Sequence, residues 1–206
     1  MDFTTRRSHV VRGHGPFDLF LAKQRYKIAK KQVKAYQKNG RILDIGCGSY
    51  PLFLTTVDFA EKYGLDKTIS ADPDNRTETQ GITLIGGKIE RQKRLPFEND
   101  YFDVISMLGV FEHIEATSLI KIHREVHRIL KPGGMYVMTT PAFWTEMLLT
   151  LLAKLRLISA VEISDHKDCY NHAMISSILQ EAHFQKDKLQ FGYFELFMNT
   201  WATAIK

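Results

Sequence analysis

Two acids and two glycines in this 206-residue chain have the types and spacing that suit a nucleoside-containing ligand. Asp44 stands in the apolar run Ile42-Leu43-Asp44-Ile45, and Gly46-Cys47-Gly48 follows without a break. Glycine permits positive φ and lets a ligand approach bare backbone. Asp66 ends the run Tyr63-Gly64-Leu65-Asp66, 18 residues beyond Gly48. In a dinucleotide-binding fold, an acid about 20 residues past the glycine loop receives the ribose hydroxyls. A G-x-G alone is a weak signal. Its setting between a strand and an apolar segment, Leu52 to Ala60, is what gives it weight.

The elements that must position these residues are legible as periodicity. Ala22, Tyr26, Ala29, Val33 and Tyr36 form one apolar stripe, which predicts a helix over 17–38 with lysines on its other faces. Asn39-Gly40 is expected to end it with left-handed geometry. Ile42–Ile45 predicts the first strand, Leu52–Ala60 a helix, and Tyr63–Asp66 the second strand. The polar stretch 67–81 leaves room for one helical turn at most. Ile82–Ile85 predicts a third strand and 101–109 a fourth. Leu119, Ile122, Val126 and Ile129 mark an amphipathic helix that stops at Lys131-Pro132-Gly133-Gly134. A fifth strand follows at 135–140. The apolar segment 143–160 predicts a helical insertion near 143–165. Another core-facing helix follows around 174–182, then a hairpin from 188–194 and 197–205. Alternating strands and helices predict an open, mostly parallel α/β sheet.

Bulk properties narrow the class. The length suits a single domain with a proper core. The apolar and charged fractions, 44% and 25%, are those of an ordinary globular protein. Cys47 and Cys169 are too few for a disulfide framework, and no cysteine spacing suits a metal. With no apolar run behind the N-terminal charges, the expected compartment is cytoplasmic. The net charge of +5 is uneven: residues 1–41 carry 11 Lys/Arg against two acids, leaving the rest at −4. Such a basic arm suits phosphate-bearing partners or an anionic membrane, or else a solvated helix face.

Beyond the glycine loop, several blocks resemble one known family. They are Leu43-Asp44-Ile45-Gly46-Cys47-Gly48, Tyr63-Gly64-Leu65-Asp66, Leu95-Pro96-Phe97 with Tyr101-Phe102-Asp103-Val104-Ile105, Phe111-Glu112-His113-Ile114, and Ile129-Leu130-Lys131-Pro132-Gly133-Gly134. Together they resemble the class I S-adenosylmethionine-dependent methyltransferases across about 41–140. The resemblance implies a Rossmann-like three-layer sandwich with a seven-stranded sheet, order 3-2-1-4-5-7-6, the last strand antiparallel. It implies one such domain over 41–206, preceded by the basic arm and helix of 1–40, and S-adenosyl-L-methionine as cofactor. Asp44, Ile45, Gly46, Cys47 and Gly48 would meet the methionine and ribose parts, and Asp66 the ribose diol. Met107 and Leu108 would wrap the methionyl chain, and Ile89 or Glu90 the adenine. Ser49-Tyr50-Pro51 departs from the pattern where the family often has a further glycine, and Lys88 stands where it often has an acid.

Methyl transfer to a hydroxyl requires a proton acceptor, and histidine titrates near neutrality. His113, after the fourth strand, and His166, after the apolar insertion, are the candidates. His123, His127 and His172 read as packing or surface residues. The apolar 143–158 segment suits a small-molecule or lipid-like acceptor, a peripheral membrane contact shared with the basic arm, or a homodimer surface. Nucleic acid is disfavoured, because the basic residues lack interleaved aromatics. A non-catalytic binding or scaffold protein of the same fold is the alternative. A nicotinamide dehydrogenase is disfavoured by Pro51 in place of a third glycine.

Overall fold

Ile42, Leu43, Asp44 and Ile45 are all buried, because their strand lies at the centre of the sheet with neighbours on both sides and layers on both faces. The structure, a computed structural model, describes residues 18–69, 76–145 and 170–206. The strands are β1 (Arg41–Ile45), β2 (Glu61–Asp66), β3 (Arg76–Thr79), β4 (Ile82–Gly86), β5 (Phe102–Leu108), β6 (Leu130–Pro141), β7 (Leu189–Phe194) and β8 (Asn199–Ile205). The helices are α1 (Asp18–Gln32), α2 (Leu52–Thr56), α3 (Ala116–Ile129) and α4 (His172–Glu181). Spatial order is β3-β4-β2-β1-β5-β6-β8-β7, with β8 antiparallel to both its neighbours.

The expected seven-strand order is therefore present, and β3 adds an eighth strand at the edge, antiparallel to β4. It forms because Gln80 and Gly81 both take positive φ, 52° and 71°, the geometry of a two-residue hairpin turn. The 67–81 connection is thus partly a hairpin strand, and no helix occurs in its described part.

Strand alternation divides the core between the two faces. Leu43, Ile45, Ile105, Met107, Tyr136 and Met138 pack with α3 and α4. Ile42, Val104 and Val137 pack on the other face with Ala29 of α1 and with Phe53 and Leu54 of α2. Burial on both faces explains why these strands read as continuous apolar runs.

Three local expectations are corrected by tertiary contacts. The first helix runs Asp18–Gln32, continues as a 3-10 turn Val33–Tyr36, and its left-handed residue is Lys38, φ 87°, instead of Asn39 or Gly40. The Lys38 amide donates to the Asp58 carbonyl at 2.6 Å, which fixes the turn one residue early. The helix expected over 52–60 stops at Thr56, where the Thr55 and Thr56 hydroxyls bond back to Leu52 and Phe53 carbonyls and Val57 becomes extended. The fifth strand, expected at 135–140, already begins at Leu130, so Gly133 and Gly134 lie within β6, where Gly133 N–H donates to Lys206 O and Lys206 N–H to Gly134 O.

Candidate active site

The carboxyl ends of β1, β2, β4, β5 and β6 form one rim, and the antiparallel β8 brings the β7–β8 turn to it as well. On this rim the glycine loop is held by its neighbours. Gly46 N–H donates to Leu65 O at 2.7 Å, and Gly48 N–H donates to the Asp66 carboxylate at 2.9 Å. Both glycines take left-handed geometry, φ 81° and 73°. A side chain on Gly46 would run into Val110 Cγ2, whereas the space before Gly48 is open. Gly46 is therefore required by packing, and Gly48 leaves backbone accessible to a ligand.

That distinction is testable. Gly46→Ala should destabilise the fold by roughly 2–4 kcal/mol, through left-handed strain and overpacking together. Urea unfolding should show a lower midpoint at unchanged slope, partly restored by adding Val110→Ala. No shift in midpoint would refute the packing account.

Asp44 and Asp66 are both buried, and each is held differently. Ser106 Oγ donates to Asp44 Oδ1 at 2.7 Å across the β1–β5 pair. Burial pushes the Asp44 carboxyl up to about 7, the Ser106 bond opposes the rise, and the nearby Asp66 charge adds to it. Asp66 accepts three bonds: Gly48 N–H on Oδ2, and Thr68 N–H (2.8 Å) and Oγ1 (2.7 Å) on Oδ1. A carboxylate offers about four lone-pair sites, so a diol needs the exposed Thr68 hydroxyl to rotate away.

The other expected ligand-binding residues separate. Cys47 turns its side chain inward against Gly64, where a Cβ would meet its Sγ at 2.7 Å, so only its backbone faces the rim. Ile45 and Met107 are core residues, with Met107 Sδ 3.6 Å from the Tyr136 hydroxyl. Leu108 is half-buried on the opposite face, toward α1 and α2. Ile89 is buried in the α3-side core, and Glu90 is exposed on the 3-10 turn Ile89–Arg91. Of these two, only Glu90 presents a polar side chain to solvent.

His113 lies half-buried at the end of the 3-10 turn Phe111–His113, next to Glu112, which is buried and accepts from Thr140 Oγ1 at 3.1 Å. His166 and most of the 143–165 insertion lie outside the described residues. Its described start, Phe143–Thr145, is a 3-10 turn with Phe143 and Trp144 exposed. His123 is a core residue: Nδ1 donates to Leu119 O, Nε2 faces the Tyr136 hydroxyl, and burial lowers its pKa to about 4. Among the described residues no cluster has the ligands for a metal. His172 stacks on Phe191 and Tyr193, with ring centroids 4.9 and 4.5 Å apart. Thr200 gives its proton to Gly192 O, so His172 Nε2–H donates to Thr200, and burial lowers the pKa of the ring.

Sequence reasoning missed several residues that the fold brings to the rim. Ser106 had a signal, a hydroxyl inside an otherwise apolar strand. Arg25 and Tyr26 of α1 had none beyond their helix. Arg25 lies over Gly109, with its Nε buried and lacking a hydrogen-bond partner, and its charge reaches Glu195 of the β7–β8 turn. Tyr26 is pushed up to about 12, first by burial and then by the Asp44 charge.

A glycine loop between two buried acids, at the carboxyl edge of a doubly wound sheet, defines a nucleotide-type ligand site. The methyltransferase domain family matches residues 20–189, and the chain belongs to that family. It is 29% identical over 108 residues to a sterol 4-C-methyltransferase from Caenorhabditis elegans, covering 48% of this chain and 30% of that protein. It is 29% identical over 133 residues to a demethylmenaquinone methyltransferase from Staphylococcus epidermidis, covering 55% and 49%. The chain thus spans half or less of the length of these curated relatives. Its fold matches that of a SAM-dependent methyltransferase from Archaeoglobus fulgidus with a TM-score of 0.62, 14% identity and coverage of 93% and 100%. The motifs and the matched domain are those of the class I S-adenosylmethionine-dependent methyltransferase family. Among the described residues, no helix is long and apolar enough to cross a membrane.

Proposed function

We propose that this protein transfers a methyl group from S-adenosylmethionine to an oxygen of a small, apolar, lipid-like acceptor. The observation that carries the acceptor class is the exposed aromatic border of the rim: Phe143, Trp144 and Tyr193, joined by ring contacts of 5.1 Å. The relatives that act on sterol and demethylmenaquinone support the same class.

The chain's residues fit the cofactor. Gly48 offers bare backbone, and Asp66 offers its carboxylate to the ribose hydroxyls once Thr68 turns aside. Asp44 attracts the amino group of the methionine part, and that contact keeps its carboxyl ionised despite burial. Arg25, whose Nε has no partner, takes the carboxylate of the same part. Leu108 and the backbone of Cys47 shape the walls, and Glu90 serves the adenine amino group. The bound sulfonium makes the methyl electrophilic, so the protein's contribution is alignment and exclusion of water.

His113 takes the acceptor's hydroxyl proton, and His172, stacked on Tyr193, forms part of the side wall. His166 keeps the same candidate role on sequence grounds alone. Labelled S-adenosylmethionine with a lipid extract tests the reading, by isolating the product and locating the methyl. His113→Gln should lower kcat about 100-fold or more, with S-adenosylhomocysteine affinity unchanged. Unchanged kcat would remove His113 from the reaction, and failure to label any apolar component would overturn the acceptor class. A carbon acceptor is the second reading, favoured by the sterol relative's name, and a methyl found on carbon would replace oxygen by it.

A further inference from the structure

The β7–β8 turn reads Phe194-Glu195-Leu196-Phe197-Met198. Hairpin turns that need positive φ normally use glycine, asparagine or aspartate. Here Glu195, Leu196 and Phe197 all take left-handed geometry, φ 52°, 53° and 70°, and none is glycine. Leu196 is 89% exposed and Phe197 65% exposed. The turn therefore accepts backbone strain while presenting two large apolar side chains to solvent. Such strain persists where the exposed groups have a use.

The tip continues into the aromatic border of the rim. Phe197 meets Tyr193 at a centroid distance of 5.9 Å, and Tyr193 meets Trp144 at 5.1 Å. Tryptophan and tyrosine have an apolar body and a polar end, which suits a membrane–water boundary. Basic charge borders the same edge. Glu195 feels the charge of Arg25, which brings α1 alongside the turn. The rim end of α1 exposes Phe20, Lys23 and Lys27, and from there the helix runs toward the amino ends of the strands, where the Tyr36 hydroxyl donates to Gly133 O.

We propose that the Leu196–Phe197 tip inserts into the headgroup layer of an anionic bilayer, with α1 supplying the electrostatic attraction, so that the acceptor enters the rim from the lipid. A convex two-residue tip suits a yielding lipid surface. It is far too small to reach the roughly 1,200–2,000 Å² that a stable protein interface buries. The physiological purpose rests on the apolar-acceptor reading, but the docking itself does not.

The test is sedimentation with sucrose-loaded vesicles of phosphatidylcholine alone or with about one-third phosphatidylglycerol, at low and high salt. The wild-type protein should sediment with the anionic vesicles and be released by salt, since exposed charges are screened within about 10 Å at 0.1 M. The double variant Leu196→Asn, Phe197→Gly should lose about 10-fold or more in partitioning, the order expected when two apolar side chains no longer leave water. It also fits left-handed geometry better, so its thermal midpoint should hold or rise, and S-adenosylhomocysteine binding should be unchanged. Failure of the wild type to bind either vesicle, or equal binding by the variant, overturns the proposal. So does a salt-stable wild-type dimer that the variant converts to monomer, which would make the tip a protein interface. Vesicle binding without methylation of any lipid would overturn the acceptor reading and leave the docking intact.

Discussion

Asp44→Asn is expected to stabilise the unliganded protein above pH 7 while weakening S-adenosylmethionine binding about 100-fold. Burial raises the folded-state value of this carboxyl to about 7 from 3.8. The folded protein therefore binds a proton more tightly than the unfolded chain does. The stabilising contribution is complete below the unfolded value, declines as pH rises, and is lost through pH 7. Above that pH a buried ionised carboxylate remains as a cost of on the order of a few kcal/mol. Asparagine carries no charge and keeps an oxygen for the Ser106 hydroxyl at the position that now accepts at 2.7 Å. The stability difference between variant and wild type should grow from pH 4 to pH 7 and then level off, as read by urea unfolding across that range. Parallel pH profiles for the two proteins would sink the account of burial. Binding should move the other way, because a charged hydrogen bond to the ligand's ammonium contributes about 1.5–3 kcal/mol. Wild-type affinity should fall as pH drops below 7, by up to about tenfold per unit, and the variant's should stay flat. A calorimetric titration with S-adenosylhomocysteine reads both. Stability set against ligand affinity at one residue is a recognisable mark of a functional site.

The second large effect is at Asp66. Its carboxylate accepts from Gly48 N–H, Thr68 N–H and Thr68 Oγ1, and so joins the glycine loop to the start of the β2–β4 connection. In Asp66→Asn one oxygen becomes a donor facing an N–H group, whichever way the amide turns. That mismatch costs about 1–3 kcal/mol, offset in part by relief of the repulsion on Asp44. Net destabilisation should be modest, but affinity for S-adenosylhomocysteine should fall about 100-fold, because the ribose hydroxyls lose a charged acceptor. The pH dependence attributed to Asp44 should also shift to lower pH. A change in affinity below about threefold would remove Asp66 from the ribose contact, and an unshifted pH profile would deny the coupling between the two acids.

Much of the fold was legible because its determinants are local. The apolar run before Gly46, the stripe from Leu119 to Ile129 and the paired final strands each advertise their own period. Their order along the chain restricts the sheet to few topologies. The eighth strand escaped because its cue is small: Gln80-Gly81 is a weaker hairpin signal than Asn-Gly, and Arg76–Thr79 is polar. Boundaries escaped where a distant partner set them, as the Asp58 carbonyl does for Lys38 and Lys206 does for Gly133.

The sequence by itself determined the glycine loop and the family, since Gly46, Gly48, Asp44 and Asp66 match the family's blocks in type and spacing. Tertiary structure decided how those groups behave. Only packing buries Asp44 opposite Ser106 and within electrostatic reach of Tyr26, turns Cys47 inward against Gly64, and brings Arg25 to Gly109 and within electrostatic reach of Glu195. Only the reversed β8 brings Leu196 and Phe197 to the carboxyl edge beside Trp144 and Tyr193. The physical reason is range. Propensity and periodicity act over a few residues, whereas the burial and charge that set the chemistry of this rim act through space, between segments far apart in the chain.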